Sequence, residues 1–514
     1  MKSKPEELKI LRKKSMLKLK TYIPGFDSIS EGGLPRGRTT LLSGTAGCGK
    51  TVIACQFLAE GIEQGGDNVV FITFEEPPQD IRDNMLGLGW DIAKWEKEGR
   101  WAFVDASASP EENVIEAGDY DLGALMARIE FAINKIGAKR VALDSLGAIF
   151  SQLSQNNVVR RELFRITSAL KKMKVTSLLT AERVDEYGSI SRFGVEEFVT
   201  DNVIVVRNVL TDEKRRRTIE ILKFRGTTHQ KGEWPFTIVP GKGMYIIALS
   251  EMQLKHISSK VRISSGNDVL DKMTNGGYFR DSIILLSGAT GTGKTLTATT
   301  FLAETCRRGE RALMFAFEES NSQLTRNAAG WGIDFENYEK QGFLKIVCAY
   351  PETMGLEDHL HHMKMVIEEF KPSRIAVDSL TALERISTVR SYREFVIGLT
   401  SLIKENQMAG LFTATTPTLM GGSSVTEEHI STITDSIILL RYVEMFGEMK
   451  RGITVLKMRG SLHDKVIRQY TINHEGLQIG SAFRNVSGIL SGNIKHFTPH
   501  ETDRLQDMFK GDES

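Results

Sequence analysis

One pattern occurs twice in this chain, and its recurrence constrains the fold more than any other feature. Gly44-Thr45-Ala46-Gly47-Cys48-Gly49-Lys50-Thr51 and Gly288-Ala289-Thr290-Gly291-Thr292-Gly293-Lys294-Thr295 both read G-x-x-x-x-G-K-[ST], the phosphate-binding loop pattern. Each copy follows an apolar, strand-like run, residues 39–43 and 282–287, and opens a helix-like run through Val52 or Leu296. In that setting the glycines let backbone N–H groups turn onto phosphate oxygens. Lys50 and Lys294 bring a point charge to the β- and γ-phosphates, and the Thr51 and Thr295 hydroxyls reach a Mg²⁺ ion. The loops nominate Gly47, Cys48, Gly49, Lys50, Thr51 and Val52, with Thr290, Gly291, Thr292, Gly293, Lys294, Thr295 and Leu296, as ATP-binding residues.

Lys50 and Lys294 stand 244 residues apart, and other landmarks recur in the same order, so the halves are copies. Runs 69–74 and 312–317 end in the glutamate pairs Glu75-Glu76 and Glu318-Glu319, and runs 140–143 and 374–377 end in Asp144 and Asp378. The aspartates are 234 apart, which leaves about ten extra residues in the first half, around 114–125, where the polar composition reads as a surface loop. Short apolar runs alternating with amphipathic ones predict an α/β fold, a mostly parallel sheet flanked by helices in each half. Runs at 202–206 and 218–222, matched by 436–440 and 453–456, add antiparallel strands. The expected organisation is an arm (1–16), a first domain (17–249), a linker (250–262), a second domain (263–483) and a polar tail (484–514).

Composition narrows the function classes. With 66 basic and 65 acidic residues, nothing at whole-chain level attracts nucleic acid. Cys48, Cys55, Cys306 and Cys348 form no C-x-x-C pair and read as reduced, buried thiols. No apolar run approaches the roughly 18 residues of a membrane span, and the N-terminus lacks a signal core, so a soluble cytoplasmic protein is expected.

Phosphoryl transfer needs bound phosphates, a metal and a group that orients or deprotonates the nucleophile. Asp144 and Asp378, ending buried strands, fit metal ligands alongside Thr51 and Thr295; helix caps are the alternative. Glu75, Glu76, Glu318 and Glu319 fit a base and its support, Glu318 also reaching the metal, against the simpler reading of an acidic helix start. A third repeated element, residues 223–229 and 457–463, carries Lys and Arg on one strand face. It suits fingers reaching an ATP held by a neighbouring subunit, or else guards an edge strand. Its candidate nucleotide contacts are Lys223, Phe224, Arg225, Thr227 and His229, and Lys457, Met458, Arg459, Ser461 and His463. The copies differ where Glu197-Phe198 aligns with Ser431-Thr432. Those hydroxyls are either turn residues or nucleophiles that replace water in the second half.

Residues 160–165, 194–198 and 348–352, the two loops and above all His429-Ile430-Ser431-Thr432-Ile433-Thr434-Asp435 resemble the KaiC family, clock ATPases of the RecA-like superfamily, over residues 17–484. The resemblance implies two tandem RecA-like P-loop NTPase domains in a two-tiered homohexamer with ATP between subunits. The first domain would hydrolyse ATP, and the second would be a serine/threonine autokinase and autophosphatase with Mg²⁺ as cofactor. It implies phosphorylation of Ser431 and Thr432, Glu318 as base, inter-subunit contacts from Lys223, Arg225, Lys457 and Arg459, and nucleotide contact by Trp331. Thr426 is a further hydroxyl near the acceptor pair. A KaiB-like partner would bind around 117–124. The tail departs from the clock pattern, which puts dependence on a KaiA-like activator in doubt and suits a role such as joining two hexamers. The rival reading is a RecA- or DnaB-like DNA motor, whose best basic cluster is Lys214-Arg215-Arg216-Arg217; a nucleotide-binding scaffold is a third.

Overall fold

A computed structural model describes residues 17–107, 122–147, 156–194, 196–211, 214–247, 258–416, 430–445, 447–484, 486–489 and 495–496. The chain divides into two compact units, Met1–Glu251 and Met252–Ser514. Strands of the first are β1 (Lys18–Leu19), β2 (Leu34–Pro35), β3 (Thr39–Gly44), β4 (Val69–Thr73), β5 (Trp101–Asp105), β6 (Arg140–Asp144), β7 (Thr176–Glu182), β8 (Asn202–Thr211), β9 (Lys214–Phe224), β10 (Glu233–Val239) and β11 (Gly243–Ile246). The second repeats them as β12 (Arg262–Ile263), β13 (Tyr278–Phe279), β14 (Ile283–Gly288), β15 (Ala312–Ala316), β16 (Leu344–Cys348), β17 (Arg374–Asp378), β18 (Ala409–Thr415), β19 (Ser436–Met445), β20 (Glu448–Met458), β21 (Arg468–Asn473) and β22 (Gly476–Ala482).

Each unit holds one nine-stranded sheet, ordered β11-β10-β9-β8-β3-β7-β6-β4-β5 in the first and β22-β21-β20-β19-β14-β18-β17-β15-β16 in the second. Six strands run parallel and three antiparallel strands extend each sheet, as the sequence pattern predicts. The apolar runs are continuous because both faces are covered. Leu42, Val69 and Phe71 pack into one cluster while their neighbours Leu41, Val70 and Ile72 pack into another. On one face lies α1 (Lys50–Glu63), which buries Ile53, Ala54, Phe57 and Leu58; α2 (Pro78–Leu86) follows the first glutamate pair. The other face takes α3 (Leu122–Ile136) and α4 (Asn156–Lys172). The second unit repeats these as α5 (Lys294–Arg307), α6 (Asn321–Gly330), α7 (Leu356–Phe370) and α8 (Val389–Glu405).

Residues 122–125, expected in a loop, belong to α3; the rest of that loop lies outside the described residues, as do Thr426, His429 and most of the arm, linker and tail. Arg140 shows how the layers are tied. Wholly buried, it binds Asp67 through Nε (2.9 Å) and donates to the carbonyls of Phe57 (3.0 Å) and Lys20 (2.9 Å). Its guanidinium takes the space that a side chain at position 61 would fill, which is why α1 carries Gly61.

Candidate functional site

Both P-loops leave the C-terminal end of a central strand and turn onto a helix N-terminus. Gly49 and Gly293 cap α1 and α5 at φ 97° and 94°, where L side chains are strained, and a Cβ at either would meet Ile238 or Ile472 at 2.8 Å. Free N–H groups of the first helical turn therefore face the loop, an anion cradle by geometry and dipole. Lys50 Nζ lies 2.9 Å from the Thr45 carbonyl, and Lys294 Nζ bridges those of Gly288 (2.9 Å) and Ala289 (3.0 Å), so both ammonium groups sit at the cradle mouth. Burial lowers the Lys294 pKa, with Asp378 and Glu318 opposing. Cys48 and Thr292 point inward and are fully buried, so they shape the loop.

Thr51 Oγ1 donates to Asp144 Oδ2 (2.6 Å) and Thr295 Oγ1 to Asp378 Oδ2 (2.7 Å), pairing in each unit the two residues nominated for metal. Thr180 and Thr413 hold the other carboxylate oxygen of Asp144 and Asp378. Sequence reasoning missed these threonines, although their recurrence in equivalent strands was a readable signal. Among the described residues no cluster of three or more His, Cys, Asp or Glu side chains could cage a metal. A Thr–Asp pair beside a phosphate cradle fits Mg²⁺, which keeps waters and binds through one carboxylate and substrate phosphates.

Glu75-Glu76 and Glu318-Glu319 sit between a strand and the next helix. Ser145 Oγ donates to Glu75 (2.5 Å) and Ser379 Oγ to Glu318 (3.4 Å). Burial, then Asp144 or Asp378, raises the pKa of the second member of each pair, Glu76 and Glu319. Arg385, which sequence reasoning did not single out, forms an ion pair with Glu318. In the second unit Glu318, Glu319, Asp378 and Ser379 line one cavity of about 370 Å³, with Lys294, Thr295, Trp331 and Ile472 on its walls.

Ser431 and Thr432 do not line that cavity, nor do Lys457, Met458, Arg459, Ser461 or His463. Ser431 and Thr432 fall in a 3₁₀ turn, Ile430–Thr432, just before β19. Since Ile284 of β14 pairs with Ser436 of the parallel β19, the turn lies at the opposite end of these strands from the P-loop. Five or six residues at about 3.3 Å each separate the two ends by roughly 15–20 Å. Lys457 Nζ donates to the carbonyls of Ser431 and Thr434 (2.7 Å), and Arg459 to that of Thr432. In the first unit Lys223 holds the carbonyls of Glu197 (2.8 Å) and Thr200 (2.9 Å) and Arg225 reaches that of Phe198 (3.4 Å). Phe224 and Met458 are buried, which leaves only their main chain for a nucleotide. Thr227 and His229 follow in the first unit; burial lowers the His229 pKa, and its ring packs on Phe224 at 5.4 Å. Ser461 accepts from Arg262 (2.6 Å).

A family model described as "ATPase: KaiC" matches residues 19–251 and 263–483. The chain is 63% identical over 492 residues to "Circadian clock protein KaiC3" of Synechocystis sp., covering 96% of this chain and 97% of that one. It is 54% identical over 494 residues to "Circadian clock oscillator protein KaiC" of Thermostichus vulcanus, covering 96% and 95%. The chain belongs to the KaiC ATPase family.

Family membership makes this chain an ATP-binding enzyme, an ATPase and autokinase, and disfavours the DNA-driven motor and the inert scaffold. The motor's basic cluster, residues 214–217, starts β9 and pairs with β8, and Arg215 donates to the Asn208 carbonyl (2.8 Å). Two composition readings meet the structure differently. Cys48, Cys55 and Cys306 are buried as expected, whereas Cys348 is exposed because it ends edge strand β16. Among the described residues no helix is long and apolar enough to cross a membrane.

Proposed function

We propose that this KaiC-family protein is a cytoplasmic clock-type enzyme whose first unit hydrolyses ATP with water and whose second unit transfers the γ-phosphoryl group of ATP to Ser431 and Thr432 of an adjacent subunit. One observation carries the inter-subunit step: the P-loop and the acceptor turn lie at opposite ends of neighbouring parallel strands, each unit repeating that layout. A head-to-tail contact between copies brings one end to the other, and closure of such a contact gives a ring, here a homohexamer.

In the second unit the Ser431 or Thr432 hydroxyl oxygen attacks the γ-phosphorus, the bond to the β-phosphate oxygen breaks, and the proton passes to Glu318. Lys294 and the α5 N-terminus hold the phosphates, while Arg459 and Lys457 of the adjacent copy bring charge worth roughly 10³–10⁵ in rate for one arginine. Trp331 offers a face for the base. Mg²⁺, held through Thr51 and Asp144 or Thr295 and Asp378, supplies charge neutralisation. In the first unit, where Glu197 and Phe198 stand in place of the hydroxyls, Glu75 and Glu76 orient water. A KaiB-like partner is assigned to residues 117–124. The divergent tail argues against a KaiA-like activator and suits a role such as joining two hexamers.

Mixed assemblies test the transfer. Chains carrying Glu318→Gln, mass-tagged, are combined with chains carrying Ser431→Ala and Thr432→Ala, neither of which labels alone. With γ-labelled ATP, label is expected on Ser431 or Thr432 of the Glu318→Gln chain; its absence in verified mixed rings rules out transfer between subunits.

A further inference from the structure

One cavity lies apart from the P-loop of its own unit. It lies in the first unit at the strand ends remote from the P-loop, where β3, β6 and β7 begin, and measures about 420 Å³. Arg36, Lys139, Lys171 and Lys174 line it, with Leu19 and Thr176. No carboxylate is in that lining. Lys139 and Lys171 lean on Asp67 (3.1 Å) and Asp201 (2.8 Å), but those carboxylates also serve Arg140 (2.9 Å) and Arg38 (3.0 Å). Among the described residues Arg36 and Lys174 have no carboxylate partner. The wall itself is ordered: the Gly37 N–H donates to Thr176 Oγ1 (3.0 Å), the Thr176 N–H to the Lys139 carbonyl (3.0 Å), and Thr176 is buried.

The second unit is an internal control, because the same turn recurs there without the charge. Lys404 pairs with Asp435 (2.8 Å) as Lys171 pairs with Asp201, and Gln407 takes the left-handed conformation of Lys174 (φ 53° against 57°). Ser373 stands for Lys139, Ala409 for Thr176 and Asp281 for Gly37, while Arg280, in the place of Arg36, is paired with Glu310 (3.6 Å). The fold therefore builds this end without a cluster of cations, and in the first unit it carries their mutual repulsion.

We infer that this cavity binds an anion with adjacent phosphate groups, of which diphosphate is the simplest. A guanidinium fork and three ammonium point charges around one hollow suit phosphate oxygens. Leu19 alone is apolar in the lining, so neither a base nor the apolar side chains of a peptide finds a wall to pack on. The cavity shares no lining residue with the nucleotide cavity or with the proposed finger contacts.

The test is calorimetric titration of the full-length assembly with pyrophosphate at low salt, both P-loops being filled beforehand with Mg²⁺ and a non-hydrolysable ATP analogue. One further binding event per chain is expected. Lys139→Ser with Lys174→Gln, the residues that the second unit already carries, is expected to weaken it at least roughly tenfold while leaving the melting temperature and the ATPase rate unchanged. Absence of heat beyond P-loop occupancy, equal affinity in the double variant, or tighter binding of a tetraglutamate peptide than of pyrophosphate would each overturn the assignment.

Discussion

Glu319 and its neighbour Glu318 have the same side chain and different surroundings. Glu318 meets an arginine; Glu319 is turned toward Asp378 and Asn327 (3.2 Å), in a partly buried place that raises its pKa from the ordinary 4.5. A raised carboxylate contributes stability that is complete below its unfolded value and lost as pH rises through its folded one. Glu319→Gln removes that titration. Its melting temperature is expected to match the wild type near pH 4 and to exceed it increasingly toward neutrality, as thermal denaturation across that range would register. A gap that shrinks as pH rises contradicts the assignment. Arg140 and Asp67 make a second case: Asp67→Ala strands a buried guanidinium and is expected to cost about 3–5 kcal/mol in urea unfolding of the first unit, because the lost partner is not replaced by water.

At the scale of elements, the helix that follows the second glutamate pair is set by the residue that caps it. Ser320 accepts from the Gln323 N–H while the Gln323 side chain accepts from the Ser320 N–H, a capping box that starts α6 at Asn321, directly after the cap. The same helix carries Asn327 back to Glu319 and ends at Trp331 on the cavity wall. Ser320→Ala is expected to lower the stability of the second unit by about 1 kcal/mol. It should also slow labelling of Ser431 and Thr432 more than it weakens ATP binding, since it loosens the glutamates and not the P-loop. Equal losses in both would mean that the cap serves folding alone.

For the whole molecule, the decisive property is that each unit places its P-loop and its proposed finger residues at opposite ends of neighbouring strands. Under the proposed transfer between copies neither unit completes its own site, and nucleotide then becomes part of the glue between copies. Removal of ATP and Mg²⁺ is expected to shift the assembly toward the single-chain mass in light scattering, and their return to restore it; an unchanged mass would show that protein contacts alone hold the ring.

Much of this was legible in the residues. The P-loops, the glutamate pairs and the strand-end aspartates follow from local rules: periodicity sets strand and helix, glycine permits left-handed turns, and an aspartate that ends a buried strand arrives beside the P-loop. Duplication then made each signal visible twice, and the departure at Ser431 and Thr432 visible at all. Other features depend on distance along the chain. Arg385 meets Glu318 across 67 residues, Thr180 holds Asp144 from the neighbouring strand, and Arg36, Lys139, Lys171 and Lys174 gather from three separate strand beginnings. Residue spacing determined the fold and the duplicated P-loops and singled out Ser431 and Thr432 as the place where the copies differ, because those are set by order along the chain. Tertiary structure alone decided which side chains share a cavity and which lie a strand's length apart, because parallel strands bring together residues with no periodic relation in sequence.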